Sequence, residues 1–302
     1  QVTVTDNGHV DNAIVDDEND VSVDVNGSYT ISASAGSDER PTVEARNDSI
    51  STGNDVPINA GADTFVGSNG TLRVDGSKLV NELGDPVMLR GFSTMNGDVD
   101  GFDFLGYYNE KSLASVRETG ANLLRLVFLP QHFVNDRSTI EQVYGVIDAC
   151  VANDMYVIVD WHVIKDGDPN VYASEAIEFF SSIAERYGDV SNVLYEICNE
   201  PNNSDADYGR DWQQIKEYSA KVIPSIRSID PNSLIICAMP HSCTAADIVV
   251  ADPLGYDNIM YAFHGAAGGI EYVLEMLHVA VDAGLPIFAT EFSALDPNDG
   301  DV

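Results

Sequence analysis

Six polar residues stand in, or just after, apolar runs. Arg125 lies within NLLRLVF, His162 follows MYVIVDW, and Asn199 and Glu200 follow VLYEIC. His264 ends IMYAFH, and Glu291 follows PIFAT. Gathered on one surface, two carboxylic acids with an Asn, two His and an Arg suit glycoside hydrolysis. That reaction needs one protonated carboxyl to donate to the leaving oxygen. It needs a second, ionised carboxyl to attack or to activate water. A single Glu at a strand end is more often a solvated charge, and a single His a satisfied core residue. The same placement at five strand ends carries a weight that no one member has.

The elements that must position these residues follow from the apolar pattern. GTLRVDGSKLVNELGDPVMLRGFS (70–93) reads as a hairpin feeding a first strand at 86–92. Further strands are expected at 122–128, 155–161, 193–198, 233–239, 259–264 and 286–290. Helical spacing occupies 138–153, 172–187, 208–228 and 269–283. Near-continuous apolar strands alternating with amphipathic helices predict a parallel sheet covered on both faces. The fold class is α/β, a TIM (β/α)8-type barrel lacking its last βα unit. In such a barrel all strand C-termini open onto one face. The barrel is expected over 67–302 and C-terminally incomplete. The 302 − 291 = 11 residues after Glu291 are too few for a crossover helix and a strand.

Residues 1–66 differ. They hold 13 Asp/Glu against 2 Arg and are rich in Gly, Ser and Asn. They read as an acidic linker or a small β extension; composition favours the linker, and strand-like pieces such as VSVDVNGSYTISASA keep the alternative open. The whole chain carries a formal charge of −34, from 15 Lys+Arg and 49 Asp+Glu, with only 5 Lys. Such a surface excludes nucleic acid, which needs a basic face, and disfavours an anionic membrane. Self-repulsion of this size calls for screening counterions, so a protein suited to concentrated salt is expected. No apolar run approaches the roughly 20 residues that span a bilayer. Cys150, Cys198, Cys237 and Cys243 form no C-x-x-C pair, so buried thiols are expected and structural zinc is not. Residue 1 opens no charged n-region and h-region, so a leader was removed or never existed.

The strand-end motifs resemble glycoside hydrolase family 5, the cellulase-type family of retaining (β/α)8 enzymes, and within it the bacterial endoglucanases. The similar stretches are VMLRGFS (87–93), NLLRLVF, MYVIVDWHV (155–163) with DGDPNVYASEAIEFF after it, VLYEICNEPN (193–202), IMYAFH and PIFATEFS (286–293). The resemblance implies Glu200 as acid/base and Glu291 as nucleophile. It implies that Asn199 hydrogen-bonds the sugar 2-hydroxyl, that Arg125 orients the nucleophile and keeps it ionised, and that His162 and His264 line the same subsite. Trp161 and Trp212 remain as sugar-binding surface, Trp212 either in the cleft or in a helix core. Glu200 is expected among apolar or anionic neighbours that hold its proton, and Glu291 among donors.

Departures are visible too. The Tyr that the family carries two residues after its sixth-strand His is Ala266 here, its first-strand His aligns with Met95, and a Trp platform aligns roughly with His241. The implied function is a secreted, monomeric endo-β-1,4-glucanase (cellulase) acting on β-glucan chains by a retaining double displacement, without cofactor or metal. The alternatives are another retaining β-glycanase such as a β-mannanase, or a non-catalytic polysaccharide-binding barrel. A calcium loop at NGDVDGFDFLGY (96–107) is weakened by Tyr107 at its last position. Sequons stand at Asn26, Asn47, Asn69 and Asn202.

Overall fold

The computed structural model describes strand segments within 3–33, and residues 64–94, 105–163, 167–201, 208–266 and 270–293. Within the N-terminal unit, which runs to Gly53, two short antiparallel pairs form, Thr3–Val4 with Val10–Asn12 and Asn19–Val23 with Tyr29–Ala33. The second unit, Asn54–Asp296, holds the barrel. The 96–104 part of the calcium-loop motif, Met95 and three of the sequons (Asn26, Asn47 and Asn202) lie outside the described residues.

Seven strands build the barrel sheet: β1 Gly91–Ser93, β2 Leu123–Phe128, β3 Tyr156–Trp161, β4 Val193–Glu196, β5 Ile235–Cys237, β6 Ile259–Ala266 and β7 Ile287–Ser293. Each pairs in parallel with its sequence neighbour, in the order β1 to β7. Between them run α1 Glu110–Glu118, α2 Ile140–Ala152, α3 Ala173–Tyr187, α4 Tyr208–Arg227, α5 Ala246–Ala251 and α6 Ile270–Asp282. This is the expected α/β barrel architecture with seven strands.

All six residues of β2 and all six of β3 are buried, because one face meets the barrel interior and the other the helices. Side chains alternate along each strand. Leu123, Arg125 and Val127 line the interior cleft, while Phe128 stacks on Phe179 of α3 at 5.1 Å. A hairpin of Arg73–Asp75 and Lys78–Val80 precedes β1 as expected. The short helix Phe65–Asn69 is fastened to the barrel by Asp154, whose carboxylate accepts from the Phe65 and Val66 amides at 2.6 and 2.8 Å. All four cysteines are buried, and none is joined in a disulfide.

The first strand differs from its expected bounds. The apolar run at 86–92 yields only a bridge at Pro86 and a strand beginning at Gly91. Among the described residues β1 pairs with β2 alone, and Met88 and Phe92 are exposed. At Gly91 the two strands approach so closely that an added Cβ would stand 1.8 Å from the Leu123 carbonyl oxygen. Gly91→Ala is therefore expected to lift β1 from β2 at a cost of about 2 kcal/mol. Urea titration checks this; an unchanged midpoint would show that the strand slides without loss. Among the described residues β1 and β7 do not pair with each other.

Candidate active site

The C-terminal strand ends converge on a cleft of about 1150 Å³ lined by Arg125, His162, Glu200, His264 and Glu291. Arg125 sits beneath it, 2% exposed, and binds four partners. Its Nε donates to Glu196 Oε2 at 2.6 Å and its Nη1 to Glu291 Oε1 at 2.5 Å. Its Nη2 reaches Asn199 Oδ1 at 2.8 Å and Asp160 Oδ2 at 2.9 Å. Asp160 Oδ2 also lies 2.6 Å from His162 Nδ1. One guanidinium thus ties β2, β3, β4 and β7 together, in the planar, multiply bonded geometry that lysine lacks.

A one-residue irregularity in β7 shapes the other half of the site. Phe263 pairs with Ala289, but His264 pairs with Glu291, leaving Thr290 as an extra residue. A regular strand sends consecutive side chains to opposite faces; a bulge breaks that alternation. Here Thr290 Oγ1 meets His264 Nε2 at 2.9 Å, while Glu291 Oε2 lies 3.9 Å from His264 Nδ1. The same Nδ1 stands 2.8 Å from Glu200 Oε1. A carboxylate oxygen of Glu200, one of Glu291 and a ring nitrogen of His264 all lie within 4.8 Å of one another. That spacing also suits a metal ion, but Arg125 already holds Glu291 Oε1 and Thr290 the far nitrogen, which favours proton handling.

Electrostatics divide the carboxyls. Burial pushes the Glu196 carboxyl up, with Asp160 adding to this and Arg125 opposing it. At Arg125 burial works against the charge, yet Asp160 and Glu196 outweigh it and hold the guanidinium firmly protonated. His162 is likewise opposed by burial and carried upward by the charge and hydrogen bond of Asp160. At Glu200 burial pushes upward, but the hydrogen bond and charge of His264, then the Ser242 hydroxyl, pull the carboxyl below its ordinary range. Besides Glu291, an imidazole on β6 thus stands against Glu200, a neighbour that the expected apolar or anionic surrounding did not include.

A family model, Cellulase (glycosyl hydrolase family 5), matches residues 80–301. The chain belongs to glycosyl hydrolase family 5. Endoglucanase A of Butyrivibrio fibrisolvens is 38% identical over 243 residues, 77% of this chain and 54% of that protein. Endoglucanase E-5 of Thermobifida fusca is 38% identical over 245 residues, 77% of this chain and 50% of that one. The chain thus spans about half the length of the curated relatives it matches. Among solved structures, the catalytic domain of Thermobifida fusca endoglucanase Cel5A superposes with a TM-score of 0.68 at 34% identity, covering 76% of each chain. A thermostable and highly halotolerant cellulase from an Icelandic hot spring isolate gives 0.69 at 30% identity, over 77% of this chain and 75% of that one.

Within this family 5 barrel, six of the eight expected site residues assemble: Arg125, His162, Asn199, Glu200, His264 and Glu291. The two tryptophans do not. Trp161 is fully buried, between Phe128, Phe133, Phe179 and Phe180. It stands between Asp160 and His162, so strand alternation turns it toward the helices. Trp212 is 3% exposed; its Nε1 donates to the Asp252 carbonyl and its ring packs on Tyr261, the helix-core alternative. Neither has a face to offer a sugar. Asp160, Glu196, Ser242 and Thr290 were not among the expected site residues. Glu196 had a readable signal, an acid at an inward position of an apolar strand. A cleft of similar size, about 1130 Å³, opens at the N-terminal strand ends beside Ile259 and Pro286 and gathers none of these residues.

Proposed function

We propose that this chain is a retaining endo-β-1,4-glucanase, with Glu291 as nucleophile and Glu200 as acid/base. The observation that carries this is the pair of carboxylates with oxygens within 4.8 Å. Retaining enzymes hold their carboxyl groups about 5–5.5 Å apart, and inverting ones about 6.5–9.5 Å to admit a water. Arg125 holds Glu291 Oε1 and so aims this carboxyl at the anomeric carbon. If His264 Nε2 gives its hydrogen to Thr290 Oγ1, one proton lies between Nδ1 and Glu200 Oε1. That shared proton passes to the leaving glycosidic oxygen as the glycosyl–Glu291 ester forms. Glu200 then takes a proton from the water that cleaves the ester. Asn199, held by Arg125, faces the sugar 2-hydroxyl, and His162 borders the same ring.

The relatives named endoglucanase favour β-glucan over mannan. Hydrolysis of carboxymethylcellulose by the parent chain and by Glu200→Gln, with the anomeric form of the first product read by NMR, tests the proposal. Product of inverted configuration would refute the retaining assignment. Polysaccharide binding without turnover would make the chain a binding barrel instead.

A polysaccharide does not cross a membrane, so we place the protein outside the cell, acting as a monomer. No helix among the described residues is long and apolar enough to cross a membrane. The charge of −34 and the halotolerant relative support work in salt. Raising salt from about 0.1 M to 1 M shortens the Debye length from about 10 to 3 Å and relieves carboxylate repulsion. The thermal midpoint is expected to rise between those concentrations; a flat or falling midpoint would contradict salt adaptation.

A further inference from the structure

We propose that Glu196 is a positioning residue for the nucleophile: it fixes one edge of the Arg125 guanidinium and so aims the opposite nitrogen at Glu291. This rests on the nucleophile role given to Glu291 above. Glu196 ends β4, a strand buried along its whole length, and the acid itself has no exposed surface. It lies below the cleft and is not part of its wall. A buried ion pair is weak grounds for stability, because desolvation offsets the attraction and an apolar side chain of similar volume often serves as well. An acid at this depth asks for another use.

The geometry supplies one. A guanidinium is planar and rigid, so holding two of its nitrogens settles its orientation. Glu196 holds two: Nε donates to Oε2 at 2.6 Å and Nη2 to Oε1 at 3.0 Å. This is the paired, fork-to-carboxylate form, which adds direction to strength. Nη1, on the far side of the fork, is thereby given one direction, and there it meets Glu291 Oε1 at 2.5 Å. The remaining partners do not give this hold. Asn199 Oδ1 and Asp160 Oδ2 both bond Nη2, at 2.8 and 2.9 Å. A grip on that nitrogen alone leaves the plane free to swing and to carry Nη1 away from the nucleophile.

Glu291 needs such a fixed point. Its side chain is partly exposed, and it stands on β7, which pairs with β6 alone among the described residues. The nearest ring nitrogen of His264 is 3.9 Å away, beyond a hydrogen bond. The aim of the carboxyl therefore follows Nη1, and a displacement of about 1 Å can cost on the order of 100-fold in rate. Without Glu196, Arg125 still faces the carboxylates of Asp160 and Glu291, so the cation is not stranded and the variants are expected to fold.

Two variants and one spectrum test this. Glu196→Gln keeps the volume but can accept from one nitrogen only, and Glu196→Met accepts from neither. In nitrogen-15 NMR the two Nη resonances of Arg125, assigned through Nε, stay separate while rotation about the Cζ–Nε bond is blocked and merge when it is free. Separate resonances are expected in the parent chain and merged ones in both variants. The ester-forming step on aryl glycosides, read as a burst, is expected to slow by about 10- to 100-fold in both, with polysaccharide binding unchanged. Merged resonances in the parent chain overturn the proposal, and so do separate ones, or an undiminished burst rate, in a folded variant. The guanidinium spectrum needs no turnover. Turnover in Glu291→Gln would therefore overturn the nucleophile reading alone.

Discussion

Glu291→Gln is expected to lose hydrolysis of β-glucan by about 10⁴-fold or more, the scale at which removing a nucleophile acts, while retaining polysaccharide binding. The amide preserves the shape that Arg125 Nη1 holds at 2.5 Å but cannot form the glycosyl ester. Glu200→Gln should behave differently. On cellulosic chains the loss is expected at about 10²–10⁴-fold, the range for general acid catalysis. On aryl glycosides whose leaving group needs no proton, the first step should survive and the ester should accumulate as a burst. Equal losses on both substrate types in Glu200→Gln would remove the acid/base assignment. Measurable turnover in Glu291→Gln would remove the nucleophile.

The second large effect is on stability. Arg125→Met keeps most of the volume but leaves Asp160, with one carboxylate oxygen already lacking a partner among the described residues, and Glu196 buried beside each other without their cation. Breaking a buried ion pair from one side costs about 3–5 kcal/mol. The pH dependence has a definite sign. Glu196 already has its carboxyl raised in the folded protein, so its contribution is present at acid pH and lost as pH rises through the raised value. Removing Arg125 raises it further and widens that window. The deficit of the variant should therefore grow as pH rises from about 5 to about 8. Urea midpoints at the two pH values check this. A deficit that is equal at both would show that packing, not charge, sets the loss.

How far the sequence could be read follows from what each residue touches. β2 and β3 were plain because residues buried on both faces must all be apolar except where chemistry intervenes, and Arg125 and Asp160 are such interruptions. Strand ends then converge by topology, which is why Glu200 and Glu291 could be paired across 91 residues of chain, 291 − 200. α1 went unnoticed because Leu113 is its one fully buried residue and its start is marked mainly by the Asn109–Ser112 capping box. Trp161 was misplaced because an aromatic beside Asp160 and His162 looks like part of their surface, whereas strand period 2 sends it to the other side. Ser242 was invisible: a left-handed turn without glycine, here His241, Ser242 and Cys243 with positive φ, leaves no trace in composition. The depressed Glu200 carboxyl was equally hidden, since it depends on a ring 64 residues away.

The extra residue in β7 also bears on how such barrels can be recombined. Thr290 and Glu291 are adjacent in the chain, yet both serve one imidazole, the hydroxyl at its far nitrogen and the carboxylate near the other. A straight strand grafted here from another barrel would offer His264 a hydroxyl or a carboxylate, not both. The donor segment must therefore carry its own irregularity, matched to a histidine on the preceding strand. In chimaeras of this fold, β6 and β7 form the smallest block that can be exchanged with these contacts to His264 intact, and a crossover placed between them separates the two halves of one device.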